Sequence, residues 1–130
     1  MNDQIKHYQS KLDYEWDSAD LFRNLESRTD VVVIDTRKTW AYDAEHIPSA
    51  ISFPHPEMDE VSTASMNKSK TYVCYCDGIG CNGSTKGSLK MTQLGFNTIE
   101  LIGGLDWWKR DGYSTEGEEA SIGTEVQCAC

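Results

Sequence analysis

The chain is predicted to fold as a single α/β domain with a mainly parallel sheet. Short β-branched and aromatic runs alternate with segments of helical periodicity, and this alternation indicates successive strand–helix units. Residues 31–34 read Val-Val-Val-Ile, a continuously apolar run typical of a parallel strand that is covered on both faces. A length of 130 residues is sufficient for one domain with its own hydrophobic core.

The first half of the chain alternates helical and extended segments. Asp17 or Ser18 would cap a helix that carries an apolar stripe, and Pro54 and Pro56 would stop a short strand. The predicted elements, in order, are a short leading helix over 2–11, a helix over 19–26, a strand over 31–34, a short helix over 39–44, a strand over 50–53 and a helix over 56–66.

The second half continues this alternation around a central strand. Gly95 stands where a glycine ends a helix, and Gly103-Gly104 indicates a turn. The predicted elements are a central strand over 71–75, a helix over 84–94, a strand over 98–102 and a short helix over 105–110. We therefore expect one domain over 1–117, with its core over about 18–117, followed by a polar C-terminal tail over 118–130.

The charge balance limits the partners of the chain. With 12 basic and 21 acidic residues, the net charge is −9, so the chain has no basic stripe for nucleic-acid phosphates. No apolar run is long enough to span a bilayer, and the first residues form no signal-peptide core. We expect a cytoplasmic protein that binds neither nucleic acid nor membranes.

Residues 71–86 are the most informative segment, because a strand stops at a cysteine and a glycine-rich loop then opens into a helix. Cys76 is the predicted catalytic nucleophile. It is the first residue past the strand, where unpaired backbone N–H groups and the positive end of the helix dipole favour a thiolate. The predicted anion-binding loop comprises Asp77, Gly78, Ile79, Gly80, Asn82, Gly83, Ser84, Thr85 and Lys86.

The other cysteines have separate predicted roles. Cys81 lies inside the loop and is either the alternative nucleophile, a resolving thiol that attacks a persulfide or forms a disulfide, or a spectator. Cys74 points to the same face as Cys76 but one pleat deeper, and we predict that it belongs to the core. No metal site is expected, because no nearby histidine completes a ligand set. Cys128 and Cys130 are either a flexible thiol pair or part of a tail without a role.

Asp35 and Arg37 follow the first long strand and are the predicted supporting residues. Ligands of parallel sheets bind beyond the carboxyl ends of the strands, so Asp35 is expected near Cys76. The two charged side chains either orient the loop or a substrate oxygen, or tie the end of the strand to the following helix.

Three groups of residues together resemble the signatures of rhodanese-homology domains. Residues 33–37 (Val-Ile-Asp-Thr-Arg) and 46–51 (His-Ile-Pro-Ser-Ala-Ile) resemble the opening signature of that family. The loop after Tyr75-Cys76 resembles the family's active-site loop, and residues 103–109 (Gly-Gly-Leu-Asp-Trp-Trp-Lys) resemble its closing signature. Several motifs in the right order make the likeness specific, and it spans roughly residues 18–117.

The resemblance implies a three-layer fold with a five-stranded parallel sheet and helices on both faces. It also implies a thiosulfate sulfurtransferase-like activity, in which a sulfane sulfur moves from thiosulfate or a persulfide donor to a thiol or cyanide through a cysteine persulfide. The expected partners are a small anionic sulfur donor and a thiol or cyanide acceptor, with a protein thiol as one candidate. No cofactor is expected.

The chain departs from the family pattern at the loop and near the opening signature. The loop is longer than usual, since Ser84 stands eight positions after Cys76. The usual cation late in the loop is missing, and Lys86 is the nearest one. Glu45 replaces the glycine that commonly precedes the His-Ile-Pro motif.

Two other functions are compatible with the sequence. The loop without a cation is compatible with a non-catalytic or regulatory rhodanese-like module that binds a partner. A cysteine-dependent phosphatase or arsenate reductase ranks lower, because such sites normally need an arginine at the end of the loop to bind a tetrahedral dianion.

Overall fold

The computed structural model describes residues 2–123, which form one parallel sheet with helices on both faces. Its elements are α1 (Asn2–Tyr14), β1 (Glu15–Trp16), α2 (Ser18–Ser27), β2 (Val31–Asp35), α3 (Thr39–Ala44), β3 (Ile51–Ser52), a 3-10 turn (His55–Glu57), β4 (Thr71–Tyr75), α4 (Gly83–Gln93), β5 (Asn97–Leu101) and α5 (Gly104–Arg110). The strand order is β1-β5-β4-β2-β3, and all neighbouring strands run parallel. The predicted α/β fold with a five-stranded sheet is confirmed.

Strand β4 occupies the centre of the sheet, as its apolar sequence predicts. All five of its residues are buried, and β2 and β5 pair with it on either side. The register aligns Val31 with Thr71 and Asp35 with Tyr75. The carboxyl ends of β2 and β4 therefore meet at one edge of the sheet, and Cys76 follows directly after that edge.

Successive residues of each strand enter two separate core layers. In β2, Val33 packs with Leu21 of α2 and Trp108 of α5 on one face of the sheet. The next residue, Ile34, packs with Met91 of α4 on the opposite face. Because side chains alternate along a strand, a run of consecutive apolar residues is needed when both faces are covered.

The residues predicted to begin and end helices do so in the structure. Asp17 caps α2: its side chain accepts a 2.8 Å hydrogen bond from Asp20 N, and the Asp20 carboxylate accepts one from Asp17 N. Gly95 follows α4 with a φ of +94°, the left-handed conformation that glycine adopts without strain. Helix α3 has the predicted bounds.

The helix predicted over 56–66 is wrong. The segment contains only the 3-10 turn over His55–Glu57 followed by turns, and Val61, expected to point inward, is 86% exposed. Met58 is buried, as predicted. Asp59 Oδ1 accepts from Ser62 N at 2.7 Å, and Ser62 Oγ donates to Glu57 O at 2.7 Å. These local hydrogen bonds compete with the helical pattern, and no sustained apolar stripe favours the helix.

The N-terminal helix is longer than predicted and leads into an edge strand that no sequence pattern indicated. Strand β1 pairs Glu15 with Glu100 and Trp16 with Leu101. Two residues are too few to show a period of alternation, so the strand is recognisable only by its pairing. Every described residue of α1 is exposed. Each helix within residues 2–123 is too short or too polar to traverse a lipid bilayer.

Residues 115–121 pack against α3 and the turn that follows it. Backbone N–H groups at 118 and 119 donate to carbonyl groups at the end of α3. The Glu45 carboxylate accepts hydrogen bonds from Lys109 Nζ at 2.7 Å, Thr115 Oγ1 at 2.6 Å and Ser121 Oγ at 2.7 Å. The glutamate that replaces the expected glycine therefore anchors the first part of the segment predicted as a tail.

Replacing this carboxylate by Glu45→Gln is expected to lower the free energy of unfolding by about 1–2 kcal/mol at pH 7. Burial alone would raise the pKa of Glu45, but hydrogen bonds from Lys109 and two hydroxyl groups outweigh it and hold the pKa below its usual value. A lowered folded-state pKa stabilises the fold above the unfolded-state pKa, and this stabilisation is lost as the pH falls.

The difference between wild type and Glu45→Gln should therefore shrink below about pH 4.3, the ordinary glutamate pKa, in urea unfolding experiments at several pH values. The exposed Glu26→Gln is the matched control and should change the stability little at any pH. If the loss in the free energy of unfolding caused by Glu45→Gln does not depend on pH, the ionised Glu45 carboxylate is not the source of the stabilisation.

Candidate active site

The candidate site lies at the carboxyl edge of the sheet, where two strand ends meet. Cys76 is the first residue after β4, and Asp35 is the last residue of β2. The loop over 77–82 then leads into α4, whose first residue is Gly83. The structure brings these predicted residues together because parallel strands present their carboxyl ends on one side.

The first turn of α4 lies directly against the sulfur of Cys76. A Cβ atom added at Gly83 would stand 3.0 Å from Cys76 Sγ and 3.4 Å from Thr36 Oγ1, closer than side chains ordinarily pack. A glycine at this position therefore permits the backbone to approach the sulfur. Cys76 itself is 5% exposed, so its sulfur sits at the bottom of the loop.

Many backbone N–H groups of the loop are available as hydrogen-bond donors. Within residues 2–123, the N–H groups at 77–80 and 82–85 donate to no protein acceptor, whereas Cys81 N donates to Gly78 O at 3.2 Å. The groups at 83–85 also belong to the first turn of an eleven-residue helix, where the helix dipole is positive. The loop and helix start together supply the donors that an anionic sulfur species needs.

Cys81 is joined to Cys76 in the structure by a disulfide bond, with their Cα atoms 6.3 Å apart. The turn closed by the hydrogen bond from Cys81 N to Gly78 O folds the loop back over the end of β4. Cys81 is only partly buried, whereas Cys76 is almost fully covered. The loop thus holds two cysteines whose sulfur atoms can react with each other.

The remaining cysteines are remote from this chemistry or outside the described residues. Cys74 is fully buried under α4, which confirms its assignment to the core, and burial raises the pKa of its thiol to about 12. It therefore stays protonated near neutral pH. Cys128 and Cys130 lie beyond the part of the chain that the structure describes.

Arg37 connects the end of β2 to the loop. Its guanidinium forms two-point hydrogen bonds with the Asp35 carboxylate, with Nη2 2.7 Å from Oδ2 and Nε 3.0 Å from Oδ1. Its Nη1 atom lies 3.0 Å from Asp77 Oδ1, and Nη2 also donates to Glu45 O at 2.6 Å. Burial alone would lower the pKa of Arg37, but the bonds to Asp35 raise it above the usual value. Arg37 therefore contacts the end of β2, the loop and the turn after α3, and the supporting role of this pair in the site stays a prediction.

Two further residues support the site and were not found by sequence reasoning. Tyr75 Oη donates to Asp35 Oδ2 at 2.6 Å and accepts from Ile47 N at 3.1 Å. Glu100 Oε2 accepts from Ser84 Oγ at 2.7 Å and from the neighbouring Thr85 hydroxyl at 2.6 Å. Glu100 lies near the end of β5, at the same edge of the sheet as Cys76. Its place near the end of a predicted strand was the one sequence feature that could have identified it as a site residue.

The charges around the loop are predominantly negative. Asp77 is exposed, and Glu100 is partly exposed beside the first turn of α4. The guanidinium of Arg37 already forms ion pairs with the carboxylates of Asp35 and Asp77. The side chain of Lys86 is exposed on α4 and has no hydrogen-bond acceptor among residues 2–123. The predicted binding of an anion at this site would consequently depend on backbone N–H groups more than on cationic side chains.

A small cavity of about 170 Å³ opens beside the two cysteines. Its side-chain walls include Cys76, Cys81, Ile79, Ser84, Glu100 and Ile102. The cavity has room for a small inorganic anion or the end of a thiol chain. The ligand atoms of Cys76, Asp77 and Cys81 also lie within 4.8 Å of one another, but sulfurs bonded in a disulfide are not available as thiolate ligands for a metal.

The fold and the loop define a known class of protein. A family model described as "Rhodanese-like domain" matches residues 18–111, and the chain belongs to this family. This confirms the resemblance seen in the sequence motifs.

Two curated relatives are thiosulfate sulfurtransferases. PspE of Escherichia coli (strain K12) is 34% identical over 73 residues, which cover 55% of this chain and 68% of PspE. GlpE of Coxiella burnetii is 31% identical over 87 residues, which cover 65% of this chain and 78% of GlpE.

Solved structures give the same fold over most of the chain. The BH2092 protein from Bacillus halodurans is 37% identical with a TM-score of 0.86, and the match covers 98% of this chain and 94% of that protein. A full-length protein from Lactobacillus plantarum is 25% identical with a TM-score of 0.77, over 90% of this chain and 99% of that protein.

The Arg37→Met substitution is expected to lower the free energy of unfolding by about 3–5 kcal/mol, because it leaves a buried carboxylate without its partner. The side chains of Arg37 and Asp35 are only 8% and 0% exposed. Arg110→Met is the matched control: its ion pair with Asp106 is 64% and 53% exposed, and its loss should cost at most about 1 kcal/mol. If urea unfolding shows that Arg37→Met and Arg110→Met lower the free energy of unfolding equally, the buried ion pair has no special structural role.

Proposed function

We propose that this chain is a sulfurtransferase that moves a sulfane sulfur from thiosulfate or a persulfide donor to a thiol or cyanide acceptor. The observation that carries the proposal is the position of Cys76, at the end of the central strand and against the first turn of α4. The names of PspE and GlpE support the reaction class, since both are thiosulfate sulfurtransferases.

The first half-reaction is a nucleophilic displacement at sulfur. The Cys76 thiolate attacks the outer sulfur of thiosulfate, the bond between the two thiosulfate sulfurs breaks, and sulfite leaves with the electron pair. The product is a Cys76 persulfide. In the second half-reaction, a thiolate or cyanide attacks the outer sulfur, and Cys76 leaves as the thiolate.

The loop supports both halves by stabilising negative charge on sulfur. The N–H groups at 77–80 and 82–85 have no protein acceptor among residues 2–123, and those at 83–85 belong to the helix turn that packs against the sulfur, so little reorganisation is needed when charge moves onto the persulfide. The carboxylates of Asp77 and Glu100 stand nearby. Their repulsion of a dianion favours donors of lower charge, such as persulfides, over thiosulfate.

The other candidate functions have less support. A cysteine-dependent phosphatase would need a cation to hold a tetrahedral dianion, and no arginine or lysine stands between Cys76 and Thr85. A module that only binds a partner does not require two cysteines beside the free N–H groups of this loop.

The assignment of the nucleophile is tested with two fully reduced variants, Cys81→Ser and Cys76→Ser, treated with thiosulfate. Cys81→Ser should gain about 32 Da, the mass of one sulfur atom, and release sulfite, whereas Cys76→Ser should do neither. Intact mass spectrometry and a sulfite assay measure both results. The reverse pattern would make Cys81 the nucleophile, and no adduct in either variant, from thiosulfate or from a small persulfide donor, would exclude the proposed reaction.

Cys74→Ala is the control for the loss of a thiol elsewhere in the same strand. Cys74 is fully buried and its raised pKa keeps it protonated, so this variant should still release sulfite from thiosulfate as the wild type does.

A further inference from the structure

The loop after β4 places a second cysteine, Cys81, against Cys76. Cys81 lies within bonding reach of Cys76, because the 78–81 turn folds it back over the end of β4. We propose that Cys81 resolves the Cys76 persulfide, releasing hydrosulfide and leaving a disulfide that an external dithiol reduces. This inference rests on the proposed sulfurtransferase function and names the acceptor class of the same site.

The resolving step balances within the protein. The Cys81 thiolate attacks Sγ of the protonated Cys76 persulfide, the bond between Sγ and the outer sulfur breaks, and the outer sulfur leaves as hydrosulfide with its proton. The two cysteine sulfurs are oxidised to a disulfide, and the sulfane sulfur is reduced to sulfide. No external oxidant or reductant is needed for this step.

Cys81 is the only described cysteine other than Cys76 that is suited to this attack. Cys74 lies one pleat deeper in the sheet, fully buried, and its raised pKa keeps it from forming a thiolate. Cys81 is partly exposed in a loop whose Gly80 adopts a φ of +93°. Because the two thiols belong to one short loop, their reaction is intramolecular and faster than attack by a dilute external thiol.

The exposure of the two sulfurs determines how the disulfide is reopened. Cys81 is partly exposed while Cys76 is 5% exposed, so an incoming thiolate attacks the Cys81 sulfur. Cys76 then leaves as a thiolate beside the free N–H groups of the loop, ready for the next donor. The mixed disulfide left on Cys81 is removed by the second thiol of the reductant, which is why a dithiol suits this cycle.

The overall reaction consumes thiosulfate and a dithiol and yields sulfite, hydrosulfide and the oxidised dithiol. Ile79 and Ile102 form an exposed apolar rim at the cavity beside Cys81. Such a rim offers apolar contact to a small protein or organic dithiol approaching that sulfur.

The test is a single turnover of the fully reduced protein with thiosulfate, without oxygen and without added thiol. Wild type should release about one equivalent each of sulfite and sulfide per chain and become lighter by the mass of two hydrogens. Cys81→Ser should release the same sulfite, retain about 32 Da as a persulfide, and lengthen the persulfide lifetime at least about tenfold. A sulfide assay, intact mass and peptide mapping of the 76–81 disulfide measure these results.

The same assay on Cys128→Ser/Cys130→Ser controls for the thiols of the C-terminal tail, and sulfide release should be unchanged. Loss of release in that variant, or a wild-type persulfide as long-lived as that of Cys81→Ser, would overturn the resolving role of Cys81. In either of these two outcomes, the amount of sulfite released from thiosulfate would be unchanged. Absence of sulfite from every variant would instead exclude thiosulfate as the donor, and absence of a persulfide on Cys81→Ser after treatment with a small persulfide donor as well would refute the sulfurtransferase function itself.

Discussion

The Arg37 guanidinium joins three parts of the chain at the carboxyl edge of the sheet. It holds the buried Asp35 carboxylate at the end of β2, the Asp77 carboxylate in the loop, and the carbonyl of Glu45 after α3. A buried charge of this kind is tolerated only when its hydrogen-bonding partners are fixed, so the ion pair also fixes the geometry around it. The loop that carries Cys76 begins from this anchored point.

The proposed function requires the same edge to hold an anionic sulfur without a cation in the loop. The guanidinium of Arg37 is already paired with the carboxylates of Asp35 and Asp77. The hydrogen-bond donors for an anion would therefore come from the backbone N–H groups of the loop and of the first turn of α4. Gly83 makes this possible because its missing side chain lets the helix start approach Cys76 Sγ. In the proposed reaction, fixed N–H dipoles and acidic neighbours together would favour a singly charged persulfide over a dianion.

Part of the fold and of the site was predictable because local patterns are strong there. The apolar run of β2, the capping residue Asp17 and the glycine after α4 each act through neighbours in sequence. The helix predicted over 56–66 failed because local side-chain hydrogen bonds of Asp59 and Ser62 outcompete a weak apolar pattern. Strand β1 has only two residues and exists because β5 offers it a pairing edge.

The sequence by itself determined the α/β fold, the family and the position of Cys76 at the end of the central strand, because these depend on periodicity and on contiguous motifs. Only the tertiary structure decided that Cys81 reaches Cys76, that Glu45 anchors residues 115–121, and that Glu100 holds the Ser84 hydroxyl. Each of these contacts depends on how a loop folds back or how a distant strand is registered. Hydrogen-bond partners separated by many residues leave no local pattern in the sequence.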